Sequence, residues 1–178
     1  MFAIVLAALD RSGSVLPILC AMAVHELAHV VMMLACGRQV RRLTLRFADL
    51  QIAASGLGYR QELLSALAGP LVNLICGAAF CMQRPSFAAY SLMLGIYNLL
   101  PVWPLDGGRV LRCALLARLP ITQAEHISEI VSFAACAVLL LIGVFLTFFR
   151  KSGLWPLGTA AYLTVRLLML ARRTDTVQ

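Results

Sequence analysis

Four stretches of this chain are apolar over nearly the length that a helix needs to cross a bilayer: residues 14–36, 62–82, 130–149 and 154–171. A spanning helix takes about 20 mostly apolar residues, because the hydrocarbon core is roughly 30 Å thick and each residue rises about 1.5 Å. A chain of 178 residues is too small to hide that much apolar surface from water. Composition agrees: 61% of residues are hydrophobic and 13% charged, against about half and a quarter in a soluble domain. A fifth run, 86–105, reaches spanning length only if its proline-rich end is counted. The opening run, 1–9, is too short to cross alone and reads as the stub of a first helix or a half-span; Asp10-Arg11 directly after it does not suit a cleaved signal peptide. The expected fold is an all-α polytopic membrane protein with five to six transmembrane helices.

The charge pattern orients those helices. The net charge is +7, and the arginines cluster in alternate loops. Arg38, Arg41, Arg42, Arg46 and Arg60 follow the first long run, Arg109, Arg112 and Arg118 follow the fifth, and Arg172 and Arg173 lie in the tail. Basic residues in short loops mark the cytoplasmic side, so these loops and the C-terminus are expected there. The same excess is therefore no argument for nucleic acid, and none is expected as a partner. The six cysteines form no C-x-x-C pair, and five sit in apolar runs, where they pack as small apolar residues. Within the loop 37–60, Leu43, Leu45 and Phe47 alternate with Thr44 and Arg46, and Leu50 and Ile52 flank Gln51. A period of two predicts strand, hence a small cytoplasmic β-hairpin over 40–52. Thr122 with Glu125 has capping-box spacing and places a helix start there.

The residues with chemical potential stand inside the runs. His25-Glu26-Leu27-Ala28-His29 places two imidazoles at i and i+4 on one helical face. Both can reach one metal ion, and the Glu beside the first can act on the water at the metal, which is the logic of the H-E-x-x-H zinc site. Three ionisable side chains near the centre of an apolar run are costly there, which favours a functional reading. A catalytic zinc takes three protein ligands and keeps one position open. His126, the remaining histidine, sits among Glu125, Ser128 and Glu129 at a helix start and reads as solvated. Most acids lie in loops or at run edges. Asp106 differs, standing in Asn98-Leu-Leu-Pro101-Val-Trp-Pro104-Leu-Asp106-Gly107-Gly108, where prolines break a helix and glycines let the backbone approach closely. A broken helix at membrane depth is tolerated where it is buried in protein or lines a watery cavity. Inside the 62–82 run, Gly69-Pro70-Leu71-Val72-Asn73 reads equally as a kinked packing helix with Asn73 as interhelical glue, or as a polar group facing a cavity or an extended peptide.

In order and spacing, these three segments resemble the site-2 proteases, zinc metalloproteases that cut within the membrane. The resemblance covers roughly residues 14–118. It implies a three-helix catalytic core in one membrane-embedded peptidase domain over 1–178, with a hairpin loop at 37–60 and extra helices over 122–171. It further implies that His25, His29 and Asp106 ligate one Zn2+ per chain and that Glu26 activates the water. Asn73 and Asn98, supported by Gly69, Pro70 and Gly107, would line the site or hold substrate. The hairpin would pair with an unwound substrate. No PDZ-like insertion separates the motifs and no nucleotide-sensing domain follows them, so the nearest branch is that of stage IV sporulation, which processes a pro-sigma factor. The expected partners are the bilayer, a protein substrate with a transmembrane or membrane-associated segment (pro-sigma or anti-sigma-like), and a membrane regulator. The expected location is a bacterial cell membrane, with the active site toward the cytoplasm. Two other readings stand beside this one. A non-proteolytic metal-binding transporter or regulator would need no general base, yet Glu26 is present. A prenyl-protein type of protease takes a later Glu as ligand, and no Glu after residue 62 lies inside an apolar run.

Overall fold

The run carrying the paired histidines folds as one uninterrupted helix, α1 (Val15–Ala35). The computed structural model describes residues 13–37, 43–46, 49–52, 58–148 and 155–175. The opening run 1–9 and the basic residues Arg38, Arg41, Arg42, Arg150 and Lys151 lie outside the described residues. After α1 come strands β1 (Leu43–Arg46) and β2 (Asp49–Ile52), then helices α2 (Tyr59–Ala79), α3 (Pro85–Asn98), α4 (Asp106–Leu116), α5 (Ile121–Phe148) and α6 (Trp155–Asp175). Three of these, α1, α2 and α5, are long and apolar enough to cross a membrane. The chain forms two compact units, Met1–Leu99 and Leu100–Gln178.

In the first unit the packing surfaces are small and polar. The buried residues of α1 are Ala21, His25, His29 and Met33, spaced four apart and therefore on one stripe. On α2 they are Ser65, Ala66, Ala68, Gly69, Pro70, Asn73 and Gly77, and on α3 Ala88, Ser91 and Gly95. Large apolar side chains point outward: Leu27 is 60% exposed, Ile75 66% and Ile96 60%. Water would penalise this distribution, whereas hydrocarbon solvates such side chains and leaves close packing of small residues to hold the helices together. Gln61 fastens the start of α2 to the end of α1. Its Oε1 accepts from the Gly58 N–H at 3.4 Å, and its Nε2 donates to the Cys36 carbonyl at 3.4 Å. The two strands pair antiparallel, with Leu43 opposite Ile52 and Arg46 opposite Asp49.

The sequence expectation of a span over 86–105 is corrected at its end. α3 stops at Asn98 and a new helix starts at Asp106. Pro101 and Pro104 supply no N–H and clash with a preceding turn, so the helix cannot continue through them. In the second unit this break is stitched by Ser132 of α5. The Trp103 N–H donates to Ser132 Oγ at 3.2 Å, and that hydroxyl donates to the Pro101 carbonyl at 3.4 Å. A Cβ on Gly108 would stand 2.6 Å from Trp103 N, so only glycine lets the start of α4 fold back against the break. The helix start read from Thr122 and Glu125 is observed to within one residue: α5 starts at Ile121, and Glu125 pairs with Arg112 of α4 at 2.8 Å.

Ser132 serves two peptide groups in a segment without regular hydrogen bonds. Ser132→Ala leaves both unserved and is expected to lower stability by about 1–3 kcal/mol. Thermal unfolding in detergent measures this, and an unchanged midpoint would show that the break does not depend on the hydroxyl.

Candidate metal centre

His25 and His29 share the buried stripe of α1, at 4% and 6% exposure. Their Nε2 atoms lie 3.1 Å apart, so the two ring nitrogens converge on one point. The rings are held by α2. His29 Nδ1–H donates to the Ser65 carbonyl at 2.6 Å. A carbonyl can only accept, so this bond fixes the proton on Nδ1 and leaves His29 Nε2 as a lone pair. Asn73, wholly buried, stands 3.2 Å from His25 Nδ1 through its Nδ2.

Gly69 sets the distance between the two helices. A Cβ there would come 2.7 Å from His29 Cε1 and 2.9 Å from His25 Cε1. No side chain fits, and the backbone of α2 lies directly on both imidazoles. The next residue, Pro70, supplies no N–H to the Ala66 carbonyl four residues earlier. The carbonyl that His29 uses is that of Ser65, one position before. The sequence left the Gly69–Asn73 segment open between helix packing and a polar role. In the structure Gly69 touches the rings and Asn73 bonds to one of them, which is the interhelical role of the two.

Glu26 is half-buried on the same helix. Asn98 ends α3 half-buried, its amide donating to the Leu94 carbonyl of its own helix at 3.0 Å. In the second unit Asp106 and Gly107 open α4 and are buried. There the Asp106 carboxylate lies 3.7 Å from Arg109. A carboxylate in the first turn of a helix is stabilised by the unpaired backbone N–H groups. His126 is exposed, in keeping with the solvated role expected for it. Sequence reasoning missed Ser65 and Ser132. Ser65 acts through its backbone, which every residue type offers. Ser132 is one hydroxyl in an apolar run, and its only signal was that a proline-broken segment must find partners somewhere.

The donor set suits a metal such as zinc: two buried imidazoles with converging Nε2 atoms, one of them already locked in the ligating tautomer. The fold and this site define an integral membrane protein built of helices around a candidate metal centre. Residues 84–142 match the family model described as Peptidase family M50. The chain is 26% identical over 133 residues to a protein named zinc metalloprotease from Methanocaldococcus jannaschii, covering 67% of this chain and 39% of that one. It is 28% identical over 138 residues to stage IV sporulation protein FB of Bacillus subtilis, covering 70% and 47%. It therefore spans less than half the length of either relative. The solved site-2 protease of Methanocaldococcus jannaschii shares the fold, with a TM-score of 0.68 at 20% identity over 94% of this chain and 83% of that one. The chain is thus similar to Peptidase family M50 over about a third of its length, and it shares the site-2 protease fold.

The fit at Gly69 gives a direct test. Gly69→Ala must displace α2 or turn both imidazoles, at an expected cost of about 1–3 kcal/mol as an overpacking change. Gly58→Ala meets nothing within 4 Å and is the control. Unfolding midpoints in detergent separate the two, and equal midpoints would show that the close approach is not a constraint.

Proposed function

We propose that this chain is an intramembrane zinc endopeptidase that cleaves a membrane-associated protein segment. The observation that carries the reading is the convergence of His25 and His29 Nε2 inside a helix packing whose outer surface is apolar. The two relatives are named a zinc metalloprotease and a sporulation protein, which supports peptide hydrolysis and a membrane-bound substrate. His25 and His29 hold one zinc ion per chain, and Asp106 completes the set, as its motif position in the resemblance implies. When bound, zinc polarises the scissile carbonyl and makes a water nucleophilic near neutral pH. Glu26, next to His25, accepts that water's proton and returns it to the leaving amine. Ser65 keeps His29 in its ligating tautomer. Asn98 and Gly107 line the site or hold substrate, and the region 14–118 forms the catalytic core of one peptidase domain.

On this reading the arginine-rich loops face the cytoplasm and the site lies toward that side of a bacterial cell membrane, as the basic bias of those loops supports. A pro-sigma factor or an anti-sigma-like protein suits that geometry as substrate, under a membrane regulator. A spanning helix satisfies its own peptide groups, so an opened substrate needs new partners for them. The antiparallel β1–β2 pair is suited to give them by adding a strand.

Two substitutions separate base from ligand. Glu26→Gln is expected to retain zinc while cleavage falls by at least about a hundredfold. Asp106→Ala is expected to lose both. Zinc loss in Glu26→Gln would remove the base assignment, and full zinc content in Asp106→Ala would remove the third ligand. A native chain that binds zinc and cleaves no membrane segment would favour the transporter or regulator reading. The hairpin is tested by Thr44→Pro and Ile52→Pro, each of which deletes a backbone donor. Loss of one edge hydrogen bond at about 1 kcal/mol should slow cleavage several-fold with zinc content unchanged. If neither substitution slows cleavage of the folded, zinc-loaded protein, the hairpin does not clamp the substrate.

A further inference from the structure

The Asn73 carboxamide sits at the end of a directional hydrogen-bond chain. Its Nδ2 donates to His25 Nδ1 at 3.2 Å. His25, accepting on Nδ1, carries its proton on Nε2 and donates it to His29 Nε2 at 3.1 Å. His29 then donates from Nδ1 to the Ser65 carbonyl at 2.6 Å. This arrangement satisfies both neutral rings, but it points the His25 proton at the place where a metal would bind. His29 is ready to ligate and His25 is not.

The other end of the amide holds a further clue. Asn73 Oδ1 is buried and has no hydrogen-bond partner among the described residues. The carboxamide is held at its Nδ2 end alone, by the bond to His25, and its two ends are nearly equal in size. Turned by half a rotation, the amide presents Oδ1 to His25 Nδ1. His25 then keeps its proton on Nδ1, donates it to Asn73, and frees Nε2 as a lone pair. An amide is the side chain that can both donate and accept at one position. A carboxylate could serve only the ligating state, and an aliphatic group neither state.

We propose that Asn73 is a positioning residue for the metal centre, whose carboxamide rotates from donor to acceptor against His25 Nδ1 as the metal is loaded and so selects the ligating tautomer. This rests on the reading of His25 and His29 as metal ligands. The rearrangement balances: one proton moves from Nε2 to Nδ1 of His25 through solvent exchange, with no change in charge. It gives Asn73 a role distinct from holding substrate. It also assigns the two ligands unequal supports, a fixed backbone carbonyl for His29 and a rotatable amide for His25.

The test uses the full chain in detergent, with Zn2+ alone as probe and a competing chelator to read affinity. Asn73→Leu keeps the size and removes both hydrogen-bonding ends. It is expected to weaken zinc binding about 10–100-fold, the range for loss of a partner to a ligating His. Asn73→Asp keeps the acceptor and is expected to bind zinc about as tightly as the native chain. Equal zinc affinity in native, Leu and Asp chains would overturn the proposal and leave Asn73 to the substrate. Equal weakening in Leu and Asp would also overturn it, since restoring the acceptor would then not rescue. A native chain that binds no zinc, as His29→Ala is expected to bind none, would defeat the metal-centre reading itself. The native chain gives a second measurement that does not depend on a variant folding. In 15N-histidine spectra, the His25 proton should sit on Nε2 without metal and on Nδ1 with it. A proton on Nδ1 in both states would show that no rotation accompanies loading.

Discussion

The contact of the α2 backbone with two imidazoles of α1 is the constraint on which the first unit depends. Gly69 has no side chain to hold the helices apart, so the Ser65 carbonyl reaches His29 and the Asn73 amide reaches His25. Neither bond would form at an ordinary helix separation of 8–10 Å set by larger side chains. The polar groups of the site would then be left unpaired in an apolar medium, where each costs several kcal/mol. Packing and chemistry are therefore one problem here. The glycine brings the helices together, and the hydrogen bonds that follow orient the ligands.

Much of this was legible in the sequence because it follows from period and chemistry. The i, i+4 spacing of His25 and His29 predicts one face, and the structure shows one buried stripe. Pro101 and Pro104 predict a break, and α3 ends before them. What could not be read is how the broken backbone and the rings are served. The Ser65 carbonyl belongs to a group that every residue carries, and Ser132 acts across 29 positions of sequence. Thr122 and Glu125 marked the start of α5 to within one residue, but the Arg112 guanidinium that pairs with Glu125 comes from another helix, and only the fold creates that ion pair.

The distribution of side chains also explains why composition was so informative. In the first unit the interior positions are filled mostly by Ala, Gly, Ser, Asn and His, and large Leu, Ile, Val and Met side chains are mostly exposed. A chain sorted this way is stable only where the surroundings are as apolar as its surface. Its interior polar groups then meet little competition from water for their hydrogen bonds.

The shortness of α3 has a mechanical consequence. Its 14 residues rise about 21 Å, roughly 9 Å less than the hydrocarbon thickness. Its outward face carries Met93 and Ile96, 53% and 60% exposed. Were that face to meet lipid across the bilayer, the lipid beside it would have to compress or tilt, at fractions of a kcal/mol per Å of mismatch. In a bilayer thinned in that way, a transmembrane helix of ordinary length would have its terminal turns among headgroups and water, where its end hydrogen bonds exchange with solvent.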